Sequence, residues 1–251
     1  MKQRPSLAAL FGLARSLLMY YAVPGRARAW RAFYRNVIQP GDLCFDVGAH
    51  VGNRTGALLA IGARVVAVEP QPLYARILNR LYGKHPRFTL LQCALGAAPG
   101  RGVMLVSSRT PTVSTLSAEW ANEVGKSLSF GPVRWDQRIE VEERTLDALI
   151  ADFGMPAFCK LDIEGYELEV LNGLSQPIRS LSFEFLVPSM DRTLRCIDRL
   201  SALGNYEFNF IKGEYPRLVL AAWGKADSFC QRLLALADDG RAGEVYARLG
   251  G

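Results

Sequence analysis

The stretch LCFDVGAHVGNRTG, residues 43–56, runs from an apolar segment into a loop with glycines at Gly48 and Gly52, and then into a helix start at Asn53 or Arg54. An apolar run, turn glycines and an amphipathic segment in that order read as strand, loop and helix. The loop does not suit a pyrophosphate. A dinucleotide fingerprint would need glycine at positions 50 and 53, where His50 and Asn53 stand. A phosphate-cradling P-loop would need a Lys-Ser/Thr pair that the segment lacks.

Outward from this stretch, short β-branched runs alternate with longer amphipathic ones. Strands are expected near 43–47, 64–68, 88–92, 157–161, 180–185, 206–211 and 217–223, and helices near 53–61, 72–83, 145–152, 166–172 and 190–203. The alternation predicts an α/β fold, a Rossmann-like seven-stranded and mostly parallel sheet with helices on both faces. No helix separates 206–211 from 217–223, and KGEY at 212–215 can close a hairpin, so the last strand is expected to be antiparallel. Residues 96–143 break the rhythm as an insertion: VMLVSS and RIEVEE can pair as added strands, and SSRTPTVSTLSAEW between them reads as a loop. The expected divisions are an N-terminal helical extension at 1–40, a main domain at 41–225, and a C-terminal helical tail at 226–251 with small helices separated at DDG.

The charges around the glycine loop narrow the ligand. Asp46, two residues before Gly48, would repel a phosphate and attract an ammonium group. Glu69, closing the second strand in VVAVEPQP, can accept both hydroxyls of a ribose. A nucleoside with an amino-acid tail satisfies both, and that ligand is S-adenosylmethionine.

The sequence here resembles the class I methyltransferases, and more closely the FkbM family. The resemblance rests on FDVGAHVGNRTG, VVAVEPQP, LQCALG, RTLDALI, FCKLDIEGYELEVLNGL and SFEF, and covers roughly residues 40–211. It implies S-adenosylmethionine as cofactor and S-adenosylhomocysteine as product. The implied contacts are Asp46, Gly48, Ala49, His50, Gly52 and Asn53 in the loop, Glu69, Pro70 and Gln71 after the second strand, Gln92, Cys93 and Ala94 beside the adenine, and Asp162. His50 stands where the family commonly has asparagine; it is expected to pack beside the methionyl part rather than to act as a base. The implied reaction is O-methylation of a small molecule or glycan. Asp162 is the first candidate for the base that takes the hydroxyl proton, with Glu164 or Glu184 behind it. These three, at neighbouring strand ends, could also hold a divalent ion, although nothing in the spacing demands a metal. Lys160, on a central strand, needs an acidic partner, with Asp46 or Glu184 on adjacent strands as candidates. Thr112, Ser114 and Thr115 match a Ser/Thr-rich stretch of the family and otherwise read as a solvated loop.

Composition sets the remaining bounds. A chain of 251 residues with 49% hydrophobic and 22% charged residues is ordinary for one globular domain with additions. The net charge of +6, taken as spread along the chain, discriminates poorly among partners. Cys44, Cys93, Cys159, Cys196 and Cys230 show no CxxC pairing and suit free thiols in a reducing, cytoplasmic compartment, and two histidines exclude a histidine-rich metal site. An apolar run from Leu7 to Val23 is a poor signal peptide and too short to span well. Its stripe of Leu7, Leu10, Phe11, Ala14, Leu17, Leu18 and Tyr21 reads as a face packed on the domain; the alternative is a helix lying on a membrane surface, at the inner face, with the arginines of residues 26–35 toward headgroups.

The rivals are a nucleic-acid or protein methyltransferase and a non-catalytic cofactor-binding subunit. A nucleic-acid partner is not expected, because LDIEG occupies the place where an amino-group base methylase carries its Asn/Asp-Pro-Pro-aromatic segment. A homodimer is left open.

Overall fold

The computed structural model describes residues 6–126, 133–236 and 242–250. Two helices, α1 (Leu7–Tyr21) and α2 (Arg26–Tyr34), precede the main sheet. Its parallel strands are β1 (Leu43–Val47), β2 (Arg64–Val68), β3 (Phe88–Leu91), β7 (Phe158–Leu161) and β8 (Ser180–Phe185), and it is completed by β9 (Tyr206–Lys212) and β10 (Gly243–Leu249). The strand order is β3-β2-β1-β7-β8-β10-β9. β10 runs antiparallel to both neighbours, with Gly243 opposite Phe185 on one side and Lys212 on the other.

The expected seven strands and single antiparallel strand are present, but the antiparallel strand is a different segment. Residues 217–223 form no strand. They run back along β9 on isolated bonds, Val219 N–H to the Phe210 carbonyl at 2.8 Å and the Asn209 amide to Leu220. Pro216 and the exposed Tyr215 interrupt any ladder there. The seventh strand instead comes from 243–249, inside the segment expected to be a helical tail; only the beginning of that segment, α9 (Ala226–Leu236), is helical. The DDG expected to separate small helices lies outside the described residues.

Helices cover both faces of the sheet. α2, α3 (Asn53–Ala60) and α4 (Pro72–Tyr82) lie on one side, where Trp30, Tyr34, Leu58 and Leu78 pack against alternate residues of the central strands. α6 (Leu146–Phe153), α7 (Glu167–Asn172), α8 (Met190–Leu203) and α9 lie on the other, around Phe45, Leu161, Phe183 and Val245. β1 and β7 are buried along their whole length, and their residues are apolar except for Asp46 and Lys160. The insertion forms a separate three-stranded sheet, β4 (Ala94–Leu95), β6 (Gln137–Arg144) and β5 (Gly100–Val106), in the order β4-β6-β5. The two added strands thus pair as expected, but the presumed loop between them contains a helix, α5 (Ala118–Lys126), whose Trp120 is fully buried.

Candidate active site

The carboxyl ends of β1, β2 and β7 open onto a cleft that the insertion also lines. The glycine loop after β1 forms one wall. Gly48 has φ +80°, and a Cβ there would lie 1.9 Å from the carbonyl oxygen of Asp162, so the loop can pass the end of β7 only with hydrogen at this position. Two residues on, His50 is itself left-handed at φ 47°. Its backbone N–H donates to Glu69 Oε2 at 2.9 Å, and Gln71 N–H donates to Glu69 Oε1 at 2.8 Å. Burial nevertheless raises the Glu69 carboxyl to about 7, against the lowering effect of these two bonds. The His50 ring sits 4.1 Å from the Tyr74 ring and 6.1 Å from that of Tyr20, centroid to centroid. Burial holds its pKa down to about 4, so the imidazole is neutral, and its Nε2 has no partner among the described residues.

Across the cleft, β7 ends in a group of carboxylates. Lys160 Nζ donates to Asp162 Oδ2 at 2.7 Å. The partner of Lys160 is therefore on its own strand, not on a neighbour at Asp46 or Glu184. Side chains two apart in a strand share a face, and Asp162 is nearer than any cross-strand acid. Burial would raise the Asp162 carboxyl, but the Lys160 ammonium holds it below the usual range. Glu164 and Glu184 are pushed well above that range by burial and by the surrounding carboxylates. One oxygen from each of Asp162, Glu164 and Glu184 falls within 4.8 Å of the others, a set that could share protons or offer three ligands to a hard cation.

Glu164 is held in an unusual backbone state, with φ 55°. The Thr115 hydroxyl donates to its carbonyl oxygen at 2.6 Å, and Gly165, at φ +85°, lies flat against the Trp120 side chain. A non-glycine residue in this region costs about 1–3 kcal/mol and persists only where its surroundings over-determine it. Here the insertion supplies that determination through Thr115 and Trp120.

Of the residues expected in the site, Gly48, His50, Glu69, Pro70, Gln71, Ala94, Asp162 and Glu164 line the cleft. Asp46 does not. It lies on the α3 face of β1, fully buried, with Oδ2 accepting from the Thr55 hydroxyl at 2.6 Å and Oδ1 unpartnered among the described residues. Ala49 and Cys93 point into the core, Gln92 is exposed, Gly52 abuts Tyr82 and Leu78, and Asn53 opens α3. Glu184 faces adjoining hollows shared with Arg192 and Arg54. The Ser/Thr stretch is not solvated: Thr112 and Ser114 line the cleft, and Ser114 and Thr115 are buried. Sequence reading missed Tyr20, Met104, Leu116 and Tyr166, which reach the cleft from α1, the insertion and the start of α7. None carries a motif, since apolar and aromatic walls are placed only by the tertiary fold.

A glycine loop after β1, a buried acid closing β2 and an apolar cleft across the strand ends make this the site of a class I methyltransferase. A family model described as a methyltransferase FkbM domain matches residues 46–196, and the chain belongs to the FkbM methyltransferase family. It is an S-adenosylmethionine-dependent methyltransferase. No curated protein matches the sequence. Solved structures similar in layout include an O-methyltransferase from Bacillus cereus in complex with S-adenosylhomocysteine, with 14% identity, TM-score 0.48 and coverage of 97% of this chain and 89% of that one. A precorrin-6y C5,15-methyltransferase from Geobacter metallireducens has 11% identity, TM-score 0.47 and coverage of 89% and 86%. An rRNA methylase from Streptococcus thermophilus has 12% identity, TM-score 0.42 and coverage of 100% and 99%. At such identities nothing about the acceptor carries over.

The cleft fits the cofactor. Each Glu69 oxygen accepts one backbone N–H and keeps a further lone pair for a ribose hydroxyl. His50, whose Nε2 has no partner among the described residues, lines the same cleft, and Val68, Leu95, Met104 and Ile163 give it apolar walls suited to an adenine and a methionyl chain.

Proposed function

We propose that the protein methylates a hydroxyl of a small molecule or glycan, with Glu164 taking the hydroxyl proton. The observation that carries this reading is Glu164 itself, a cleft-lining carboxylate of raised proton affinity, set in a left-handed backbone beside ionised Asp162. Bound S-adenosylmethionine supplies an electrophilic methyl group on a sulfonium, displaced in line. Glu69 holds the ribose, and the charge on Asp162 faces the cationic donor. Tyr20, Leu116 and Met104 keep water out of the cleft. In its ionised form Glu164, with its raised proton affinity, is a stronger proton acceptor than Asp162, whose proton affinity Lys160 lowers.

Among the described residues no lysine or arginine lines the cleft, while Glu69, Asp162 and Glu164 do. A phosphate-rich nucleic acid would be repelled there, so a neutral or cationic acceptor is favoured. Buried free thiols at Cys44, Cys93, Cys159 and Cys196 support a reducing, cytoplasmic setting. The test is transfer of labelled methyl from the cofactor to fractions of a cell extract. Label is expected in small molecules or glycans, in a linkage that survives mild alkali as an ether does; label in RNA or protein, or in an alkali-labile ester, would overturn the proposal.

The raised Glu69 carboxyl gives cofactor binding a pH dependence of defined sign. Ribose hydroxyls favour the ionised form, so binding lowers the Glu69 pKa and releases a proton near pH 7. Affinity is expected to strengthen roughly tenfold from pH 6 to pH 8. Calorimetric titration in two buffers of different ionisation heat reads the proton directly. Binding without proton release would place the ribose elsewhere.

A further inference from the structure

The apolar stripe of α1 faces outward. Leu7, Phe11 and Leu18 are 87%, 61% and 66% exposed, with Leu10 and Tyr21 beside them at 44% and 48%. The face that meets the domain is the small one, Gly12 and Ser16. A Cβ on Gly12 would lie 2.5 Å from the Ser108 carbonyl oxygen and 2.9 Å from Pro111, so the backbone of α1 lies directly on the insertion. The end of the helix is tied to the glycine loop, Tyr21 Oη donating to the Val51 carbonyl at 2.9 Å and lying 3.2 Å from Tyr82 Oη, while Tyr20 enters the cleft. The expectation that the leucine stripe itself packs on the domain is thus reversed: the helix is docked by its opposite side, and the stripe is left uncovered.

The charge is equally uneven. Residues 1–41 hold seven lysines and arginines and no Asp or Glu, so the rest of the chain is net negative by one; the positive charge is not spread along the chain as expected. Arg15, Arg28 and Arg35 are exposed and have no ion pair among the described residues. α2 cannot leave the domain with α1, because Trp30 and Tyr34 are buried and the Arg54 guanidinium lies 3.0 Å over the Trp30 ring. Among the described residues no single helix is long and apolar enough to cross a membrane, and α1 and α2 meet at a 65° bend.

We propose that α1 and the exposed side of α2 dock on an anionic lipid surface, with Leu7, Phe11 and Leu18 in the interface and Arg15, Arg28 and Arg35 against the headgroups. An apolar stripe beside unpaired arginines is the pattern of a helix lying in a membrane interface. A second copy on the same stripe is disfavoured, because it would oppose two wholly cationic segments.

Sedimentation of the full chain with vesicles tests this, using phosphatidylcholine alone or phosphatidylcholine with one-third phosphatidylglycerol. The protein is expected in the pellet only with the anionic vesicles at low salt, and in the supernatant at high salt. Leu18→Asp, and the triple change Arg15→Glu, Arg28→Glu and Arg35→Glu, are each expected to weaken vesicle binding by at least about tenfold with unchanged thermal unfolding. A protein that stays in the supernatant with anionic vesicles, or whose binding both variants leave unchanged, overturns the proposal. So does binding that resists both high salt and alkaline carbonate, which would indicate insertion, or a lipid-free dimer that Leu18→Asp dissociates.

Discussion

Glu164→Gln is expected to slow methyl transfer by about 10²–10⁴-fold while leaving cofactor affinity within about twofold of the unsubstituted protein. The substitution keeps the shape and removes only the proton-accepting oxygen, so the Thr115 hydrogen bond to the backbone and the packing of Gly165 on Trp120 remain. The unsubstituted enzyme should lose rate as pH falls through the raised Glu164 pKa, on a limb above the range of an ordinary glutamate. In the variant that limb should vanish along with the rate. Steady-state kinetics across pH, paired with calorimetric titration, separates the cases. A loss of turnover with the pH limb intact would move the base to Glu184, whose carboxyl is raised by the same neighbours.

Gly48→Ala has the largest expected effect on the fold around the site. Two costs add: alanine at φ +80° is strained, and its methyl would stand 1.9 Å from the Asp162 carbonyl oxygen. Both partners are backbone, one in the loop after β1 and one at the end of β7, so relief requires the two strand ends to separate. A destabilisation on the order of 3–5 kcal/mol is expected, with a fall in thermal midpoint of roughly 10 °C and loss of cofactor binding. Gly52→Ala is a useful contrast, since its methyl would meet the side chains of Tyr82 and Leu78 at 2.6 and 2.7 Å, and side chains can give. Thermal unfolding of the two variants should rank Gly48→Ala as the more damaged. A Gly48→Ala protein within about 1 kcal/mol of the parent would mean that this loop is more compliant than the close approach suggests.

The regions of the molecule legible in the sequence were those whose causes are local. β1, β2 and β8 have the expected bounds, because buried parallel strands announce themselves as short apolar runs. Glu69 could be placed because it ends such a run. The errors share a different cause. RLVLAA at 217–222 has strand composition, but β9 already had its partner in 243–249, and nothing local in either segment says which one the sheet accepts. Asp46 was assigned to the ligand by its distance from Gly48 along the chain, whereas pleating directs it to the α3 face. The inward face of α1 was misjudged because periodicity marks a stripe without saying which side the domain occupies. There, close approach to the insertion selects glycine and serine instead of leucine.

β10 has a consequence for how the chain folds. It fills the slot between β8 and β9, so its pairings join Phe185 and Lys212 to Gly243 across long intervening segments. The chain must close loops of that length before either pairing gains anything. Until the slot is filled, β8 is an open edge whose SLSFEF sequence could add a strand from another molecule. Any delay in the insertion of β10 therefore lengthens the time for which β8 and β9 present unpaired edges.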